Sequence, residues 1–302
     1  MARMILRHEP SLRAPVLLVG FAGWANAAGL SLDVISQLQS ILATDLLGTL
    51  EAPECYVITN PSTANRPITT IRGGLVEELR FPMTEIHALH EAGMQSDVLL
   101  MRAVEPDLCW QEFTDAIWSV ITRFGVSRVY TVGSYLDHVP HTRPPRISAV
   151  VTDPRLKAEL RPHHVEFTGY EGPTSIQTFL LWRCQQRQVE GISLWGGVPT
   201  YLQGTYPKGV LRLLSILSDL IGLTLDTTRL RAWATEFENA LQKQLAKNEE
   251  LATFVKQLER AYDQALKETD LLRGDEMVEE IQQFLRRRTR SDSDPPSSDQ
   301  PQ

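Results

Sequence analysis

The feature that most constrains the fold is an uninterrupted apolar run at residues 15–20, which read Pro-Val-Leu-Leu-Val-Gly. A strand that is buried on both faces needs apolar side chains at successive positions, so this run predicts a buried parallel strand. Residues 27–42 follow with leucine, valine and isoleucine at helical spacing, which predicts an amphipathic helix. A strand, a glycine-rich loop and a helix in this order typically begin an α/β unit.

Residues 45–101 contain several further candidate strands. They are Cys55–Thr59, Ile68–Arg72, Leu75–Phe81, Glu85–His90 and Asp97–Met101. Gly73 and Gly74 separate two of them, and a two-residue hairpin turn needs the positive φ that glycine adopts easily. Several consecutive strands without intervening helices indicate a mixed sheet, because parallel neighbours need a long crossover connection.

The next part of the chain alternates between helices and strands. Three helices are predicted. The first begins at Glu105-Pro106, the second runs from Pro173 to about Arg187, and the third spans Pro207–Ile221. The predicted strands are Arg128–Gly133, Arg146–Val151 and Ile192–Trp195. These segments extend the α/β core to about residue 225.

The C-terminal part has a different character. Thr228–Leu266 contains no proline or glycine, and its apolar residues recur mostly at intervals of three and four, which predicts a long amphipathic helix interrupted near Asn248. We expect residues 1–225 to form the α/β core, 226–290 a helical arm or hairpin, and 291–302 a disordered tail rich in Ser, Asp, Pro and Gln. The arm must bury its apolar stripe against its own domain or against another subunit.

Composition and charge exclude several classes of function. The net charge of −7 gives no support to the basic surface that nucleic-acid binding requires. Cys55, Cys109 and Cys184 are far apart, which argues against a disulfide framework or a zinc site and fits a reducing compartment. The most apolar stretch, Val210–Ile221, is too short to span a bilayer. We therefore expect a cytoplasmic protein with no nucleic-acid or membrane partner, no metal and no cofactor.

The first candidate site is the glycine-rich loop between the first strand and the first helix. Gly20, Gly23 and Asn26 lie there, and free backbone N–H groups at a helix N-terminus can hold an anion. No Gly-Lys-Ser/Thr follows, so the loop is not a P-loop. A purely structural tight turn is the favoured interpretation, because such loops are common wherever a strand leads into a helix.

The second candidate site follows the strand predicted at 128–133. Asp137, His141 and Arg143 lie there, where α/β folds place ligands at the carboxyl ends of strands. The histidine can serve as a metal ligand or an acid–base group, but no third and fourth ligand follow at a familiar spacing. A hydrogen-bonding role within the loop is therefore favoured.

Two further segments complete the candidate cleft. Arg66 and Arg143 each precede a proline, and they form either an anion site near the glycine loop or ordinary surface ion pairs. Gly172 and Thr174 lie at a predicted helix start, where the threonine can act as a nucleophile only beside a base, and capping is favoured. The sequence contains no complete nucleophile–base or metal constellation, so enzymatic function stays open and is not favoured.

Several segments occur together in an order typical of one known family. They include Gly20-Phe-Ala-Gly-Trp-Ala-Asn-Ala-Ala-Gly29, Val139-Pro-His-Thr-Arg-Pro144, Tyr170-Glu-Gly-Pro-Thr174 and Leu194-Trp-Gly-Gly-Val-Pro-Thr-Tyr201. With them the chain resembles the proteasome-assembly-chaperone family, in the branch typified by assembly chaperone two and its archaeal and bacterial relatives. The resemblance covers about residues 15–265.

This resemblance implies a three-layer α/β/α fold of the phosphorylase/hydrolase-like type, followed by C-terminal helices. It also implies self-association into small rings or other homo-oligomers. Family members near the proteasome bind its α-subunits or assembly intermediates, whereas for bacterial members the resemblance implies no settled activity. Archaeal relatives that dock into proteasome pockets end in a hydrophobic residue, tyrosine and any residue. This chain ends Asp299-Gln-Pro-Gln302, so that docking tail is not expected here.

Two functions of different class follow. The resemblance favours a chaperone-like protein that binds other protein subunits through an oligomeric α/β scaffold. The alternative is a nucleotide- or phosphate-binding protein or enzyme with a cleft at the glycine loop and the segment from Asp137 to Arg143. The residues predicted to line this cleft are Gly20, Gly23, Asn26, Arg66, Asp137, His141, Arg143, Gly172 and Thr174.

Overall fold

The computed structural model describes residues 2–59, 65–90, 94–167 and 169–267. Its strands are β1 (Arg3–Leu6), β2 (Val16–Ala22), β3 (Thr44–Glu51), β4 (Ile68–Arg72), β5 (Leu75–Arg80), β6 (Thr84–Leu89), β7 (Val98–Val104), β8 (Arg128–Asp137), β9 (Ile147–Val151) and β10 (Glu190–Pro199). Its helices are α1 (Leu30–Ile41), α2 (Trp110–Phe124), the one-turn α3 (Lys157–Leu160), α4 (Ile176–Gln186), α5 (Pro207–Ile221), α6 (Thr228–Leu245) and α7, which comprises residues 249–267.

Eight strands form one mixed sheet in the order β1-β3-β6-β7-β2-β8-β10-β9. Strands β7, β2, β8 and β10 at its centre run parallel to one another. The flanking strands β6, β3, β1 and β9 are each antiparallel to a neighbour. The predicted mixed sheet is therefore confirmed, and the run at residues 15–20 belongs to a central parallel strand.

Side chains of β2 alternate between two separate cores. Val16 and Leu18 join the apolar cluster beneath α1, α5 and α6, whereas Leu17, Val19 and Phe21 join the cluster beneath α2 and α4. Successive side chains of a strand point to opposite faces of its sheet, so helices cover both faces. The three-layer α/β/α architecture implied by the family resemblance is confirmed.

Strands β4 and β5 form a separate two-stranded antiparallel sheet. Their predicted boundaries are correct to within one residue. Gly73 and Gly74 have φ of 56° and 80°, the left-handed values that the two-residue turn requires.

Two predicted elements are wrong. Residues 55–59 are not a strand, since a single 3-10 turn spans Pro53–Cys55. The strand of this region is β3, whose apolar pattern is interrupted by Gly48, where a Cβ atom would collide with the backbone of β1. The second helix begins at Trp110 and not at Glu105-Pro106, since Cys109 just before it has φ of 56°, which is not helical.

The later helices match their predictions more closely. Helix α5 has the predicted bounds, and Gly222 follows it with φ of 76°. Helix α6 begins at Thr228 and ends at Leu245, near the predicted interruption at Asn248. The bounds of amphipathic helices of this length can be predicted from the spacing of their apolar side chains and from a glycine at the C-terminal end.

Contacts divide the described chain into two compact units, one within residues 2–247 and one that begins at residue 248. Helix α6 thus lies in the first unit, and the predicted domain boundary after residue 225 stays a prediction. Leu230 and Leu241 of α6 lie in the same apolar cluster as α1 and α5. In the second unit, helical residues 249–267 are described, and the predicted tail at 291–302 lies outside the described residues.

No helix within the described ranges is both long enough and apolar enough to cross a membrane.

Candidate functional site

The four central parallel strands end at the same edge of the sheet, and most of the predicted site residues lie along it. Strand β2 leads there into the glycine loop, β7 into Glu105, β8 into Asp137 and β10 into residues 200–206. A ladder contact between Asn26 and Ser134 joins the glycine loop to β8. Open α/β sheets place their ligand sites at this edge.

Gly20 lies in the buried strand β2, not in the loop itself. A Cβ atom at Gly20 would lie 2.6 Å from Cγ1 of Ile35 and 2.9 Å from the carbonyl oxygen of Ser31. Glycine is required here because helix α1 packs directly on the strand. The hydroxyl of Ser31 accepts a hydrogen bond from the N–H of Phe21 and donates one to the carbonyl of Val132.

The side chain of Asn26 binds the first turn of α1, whose N-cap residue is Gly29. Its Oδ1 accepts hydrogen bonds from the backbone N–H groups of Ser31 (2.9 Å) and Leu32 (3.4 Å). These donors belong to the unpaired N–H groups at the start of a helix, the groups that would otherwise be offered to an anion. The side chain of Asn26 therefore performs a structural task in this structure.

Gly23 lies against Glu105, a residue that was not predicted to belong to the site. Gly23 has φ of 130°, and a Cβ atom there would lie 2.7 Å from Oε2 of Glu105. The carboxylate accepts hydrogen bonds from the N–H of Trp24 (2.8 Å) and the N–H of Ile176 (3.0 Å). Burial raises the pKa of Glu105, the two hydrogen bonds oppose this, and the charge of Asp107 raises the pKa further.

Asp137, at the end of β8, is held by an ion pair. Arg146 approaches its Oδ2 at 3.2 Å and also lies 3.5 Å from Glu166. The backbone N–H of His138 donates to Oδ1 of Asp137. Gly197 on the adjacent strand leaves room for this carboxylate, since a Cβ atom there would lie 2.6 Å from Oδ2.

His141 is buried and its ring is enclosed by two other elements. The hydroxyl oxygen of Tyr201 lies 2.7 Å from both the backbone nitrogen and Nδ1 of His141. The amide nitrogen of Gln242, on α6, lies 3.4 Å from its Nε2, and Lys208 donates to its carbonyl oxygen. Both ring nitrogens thus have polar neighbours within the protein, which fits the loop role that was favoured from the sequence.

The remaining predicted residues lie at the margins of this edge. Arg143 is half-buried and its Nη1 lies 3.5 Å from the hydroxyl of Thr142. Arg66 is exposed and follows Asn65, whose side chain donates to Asp107.

Gly172 and Thr174 lie in an exposed segment before α4. The N-cap of α4 is Ser175, which accepts a hydrogen bond from the N–H of Thr178, so the helix begins three residues after Pro173. Ser175 thus provides the helix cap that was favoured for this segment, and Glu105 accepts a hydrogen bond from the N–H of Ile176.

The structure brings the predicted residues into two groups at one edge. Gly23 and the start of α4 meet at Glu105, while Asp137 and His141 are held by Arg146 and Tyr201 at the ends of β8 and β10. Among the described residues, no three His, Cys, Asp or Glu side chains cluster closely enough to hold a metal ion.

A group of aromatic side chains that was not predicted from the sequence lies on the outer side of α2 and α4. We call it the aromatic surface. Its members are Trp110, Phe179 and Trp182, with Arg183 and Arg187 beside them. The rings of Trp110 and Phe179 meet edge to face at 5.8 Å, and Trp182 is 53% exposed. Helix α4 buries Ile176, Leu180, Leu181 and Cys184, whereas Trp182 stays exposed on its outer side beside the polar residues Gln185 and Gln186.

Comparison with known families gives an extensive match. The sequence profile described as the PAC2 family matches residues 17–245. No significant match was found among curated protein sequences.

Solved structures similar to this chain include three of particular interest. A PAC2 family protein from Streptomyces avermitilis is 31% identical, with a TM-score of 0.70, over 80% of this chain and 99% of that chain. A proteasome-assembly chaperone homologue from Mycobacterium tuberculosis is 28% identical, with a TM-score of 0.72 and the same coverages. An archaeal proteasome activator from Pyrococcus furiosus is 21% identical, with a TM-score of 0.62, over 80% of this chain and 98% of that chain, and shares the fold.

Proposed function

Since this chain belongs to the PAC2 family, we propose that it is a chaperone-like protein that binds other protein subunits, with proteasome subunits as the first candidates. The observation that carries this proposal is the family match over residues 17–245, which includes every strand of the central parallel sheet except the first residue of β2. Support for the candidate partner comes from the similar Mycobacterium tuberculosis chain, which is described as a proteasome-assembly chaperone homologue.

The aromatic surface suits a protein partner. Tryptophan and arginine are enriched among the residues that contribute most to protein–protein binding, and they act best where a partner excludes water around them. Trp182 is more than half exposed, while the guanidinium group of Arg183 is fixed by Asp115 and the hydroxyl of Thr114. The guanidinium group of Arg187 lies 4.3 Å from the ring centre of Trp118, so the second arginine of the aromatic surface is also held in place.

Binding to purified proteasome α-subunits from the same host tests the proposal. Calorimetry of the full chain should show saturable binding. The Trp182→Ala variant should bind the subunits at least tenfold more weakly, the loss typical of a central interface tryptophan. Trp24→Ala is the matched control, because Trp24 is 65% exposed but lies on the glycine loop. Equal weakening by both variants would argue against this surface.

A second measurement tests the function independently of any one surface. The full chain, affinity-purified from its native host, should retain proteasome subunits in stoichiometric amount as identified by mass spectrometry. Retention of a metabolite with no protein partner would reject the proposal.

The subunit-binding role also includes self-association in the cytoplasm. Homo-oligomers follow from the family resemblance, and they multiply the number of binding surfaces presented to an assembly intermediate. None of the three cysteines is in a disulfide, which suits a reducing compartment.

Small-molecule binding at the sheet edge is the second candidate function. Asp137, His141 and Arg143 lie at the carboxyl end of β8, the position where open α/β sheets bind ligands. A ligand that binds the folded state raises its stability by mass action. If this candidate is right, at least one ligand in a thermal-shift screen of nucleotides, nucleosides and phosphate should raise the melting temperature of the protein. No change at saturating concentrations would exclude binding of the ligands in that panel.

A further inference from the structure

Two cysteines that are distant in sequence are neighbours in the fold. Cys55 ends the 3-10 turn at Pro53–Cys55, and Cys109 is the N-cap residue of α2. The N–H of Leu108 donates to the carbonyl oxygen of Cys55 over 2.9 Å, so the residue before Cys109 is bonded directly to Cys55. The side chains meet as well, since the thiol of Cys55 interacts with the thiol of Cys109. We call Cys55 and Cys109 the thiol pair.

Further hydrogen bonds hold the two segments together. The hydroxyl of Tyr56 donates to the carbonyl oxygen of Val104 over 3.0 Å, and the N–H of Val57 donates to Oδ2 of Asp107 over 2.8 Å. A disulfide needs its two Cα atoms about 4.4–6.8 Å apart, so it forms most readily between segments that are already held side by side. The hydrogen bonds around the thiol pair provide such a hold.

The two thiols differ in their access to solvent. Cys109 is exposed, whereas Cys55 is fully buried in the apolar cluster beneath α2 and α4. Burial, and after it the neighbouring thiol of Cys109, raises the pKa of the Cys55 thiol to about 12. Cys55 therefore stays protonated near neutral pH, and an oxidant dissolved in water reaches Cys109 first.

Local structure does not account for a cysteine at position 109. A helix N-cap is usually Ser, Thr, Asp or Asn, whose oxygen accepts a hydrogen bond from the first turn, and the side chain of Cys109 makes no such bond. Its backbone has φ of 56°, a left-handed value that glycine or asparagine adopts more easily. The contact with the Cys55 thiol is thus the role that the structure gives to this side chain.

From these features we propose that Cys55 and Cys109 form an oxidisable modification site, which peroxides convert reversibly into a disulfide. This inference goes beyond the proposed function and does not rest on it, since no protein partner takes part. A reducing compartment keeps the pair as thiols, and the disulfide forms when peroxide is present. The structure shows the reduced form, in which all three cysteines are thiols.

The reaction with hydrogen peroxide takes place in two steps. The thiolate sulfur of Cys109 attacks one peroxide oxygen and the O–O bond breaks, which gives a sulfenic acid and a hydroxide that takes up the proton lost from Cys109. The sulfur of Cys55 then attacks the sulfur of Cys109 and the S–O bond breaks, and the hydroxide released takes the proton of Cys55 to form water. Two thiols are oxidised by two electrons to one disulfide, while the peroxide is reduced to two waters.

Thiol counting and mass spectrometry of the full chain test the proposal. The reduced chain is treated with hydrogen peroxide, unfolded and labelled with N-ethylmaleimide. The labelled thiols should fall from three to the single thiol of Cys184, and digestion without a reductant should release a peptide that joins Cys55 to Cys109. Treatment with dithiothreitol should restore all three thiols, because an exposed sulfur is open to exchange.

The third cysteine provides the matched control. Cys184, on α4, is fully buried as Cys55 is, and burial raises its pKa to about 12 as well. Cys184→Ala should form the disulfide as fast as the unsubstituted chain does. Cys109→Ser, a change at an exposed position, should form none and keep both remaining thiols. In Cys55→Ala the sulfenic acid of Cys109 should persist, and dimedone should label it at least tenfold more than in the unsubstituted chain.

Three results would overturn the proposal. The first is oxidation of Cys109 to a sulfinic acid while Cys55 remains a thiol. The second is a disulfide between the Cys109 residues of two chains, and the third is a disulfide that contains Cys184. Each is recognised by the masses of the digested peptides. The binding of proteasome subunits does not enter any of these measurements, so failure of the thiol pair and failure of the proposed function are distinguished.

Discussion

Glu105 and Ile176 are joined by a hydrogen bond in which the backbone N–H of Ile176 donates to Oε1 of Glu105 over 3.0 Å. The bond links the end of β7 to the first turn of α4, across 71 positions of sequence. The other carboxylate oxygen accepts from Trp24 in the glycine loop. One half-buried carboxylate therefore connects three segments at the edge of the sheet.

Replacement of Glu105 by glutamine should destabilise the protein. The amide keeps one acceptor oxygen but places its NH₂ group against the second backbone donor, and an unsatisfied donor costs about 1–3 kcal/mol. Urea unfolding near neutral pH measures the effect. Glu112→Gln, at an exposed site on α2, is the control and should change the free energy of unfolding by less than about 0.5 kcal/mol. A Glu105 variant as stable as this control would contradict the role assigned to the carboxylate.

The same carboxylate predicts a pH effect of defined sign. Burial raises the pKa of Glu105 in the folded protein, so the folded state binds the proton more tightly than the unfolded chain does. Its contribution to stability therefore falls as the pH rises above the unfolded value of about 4.3. The Glu105→Gln variant should lack this part of the pH dependence when unfolding curves are compared from pH 4 to pH 7, and an unchanged slope would argue against the raised pKa.

Gly20→Ala should cost stability through steric overlap alone. The added methyl group would lie 2.6 Å from Cγ1 of Ile35 and 2.9 Å from the backbone oxygen of Ser31, and overpacking of this kind costs about 1–3 kcal/mol. Gly169→Ala is the control, since a Cβ atom there has no neighbour within 4 Å. Chemical unfolding of both variants provides the comparison. If Gly20→Ala weakened ligand binding without loss of stability, the predicted ligand role of this residue would be favoured instead.

The parts of the fold that sequence predicted well are those specified by local pattern. Helix α5 and the turn at Gly73-Gly74 were located because side-chain period and glycine mark them within a few residues. Strand β3 was missed because Gly48 breaks its apolar pattern, and the reason for that glycine, the close approach of β1, is a tertiary contact. Local pattern does not encode which distant strand lies beside a residue.

The candidate site was predictable only as a region. Strand order places the ends of β2, β7, β8 and β10 at one edge, and residues after those strands lie there, while their role in binding a ligand stays a prediction. The partners of individual side chains were not predictable. The contact of His141 with Tyr201 spans 60 positions, and Glu105 was interpreted as a helix start because proline follows it.

Tyr201→Phe should loosen the segment around His141. The hydroxyl lies 2.7 Å from the backbone nitrogen and Nδ1 of His141, which is 2% exposed, so its removal leaves buried polar groups without this neighbour. A loss of about 1–3 kcal/mol in the free energy of unfolding is expected. Tyr170→Phe, at a residue that is 73% exposed, serves as the control and should stay within about 0.5 kcal/mol. Equal stability of both variants would show that the Tyr201 hydroxyl does not hold this loop.

Asp97→Asn should reveal a pH dependence opposite in sign to that of Glu105. Burial alone raises the pKa of Asp97, but hydrogen bonds from the N–H of Arg13 and from His90, together with the charges of both residues, outweigh it and lower the pKa. A lowered folded pKa gives stability that is present above the unfolded value of about 3.9 and is lost as the pH falls through the folded value. The variant should thus lose about 1–3 kcal/mol at pH 7 and progressively less toward pH 3 in urea unfolding.

A second aspartate–histidine pair provides the control for Asp97. Asp45 and His8 are 2.5 Å apart, the same separation as Asp97 and His90, but the side chain of Asp45 is 62% exposed whereas that of Asp97 is 1% exposed. Exposed ion pairs contribute about 0–1 kcal/mol because water screens them and both side chains lose freedom. Asp45→Asn should therefore change the free energy of unfolding far less than Asp97→Asn at pH 7. Similar losses in the two variants would show that burial does not set the strength of the Asp97 contacts.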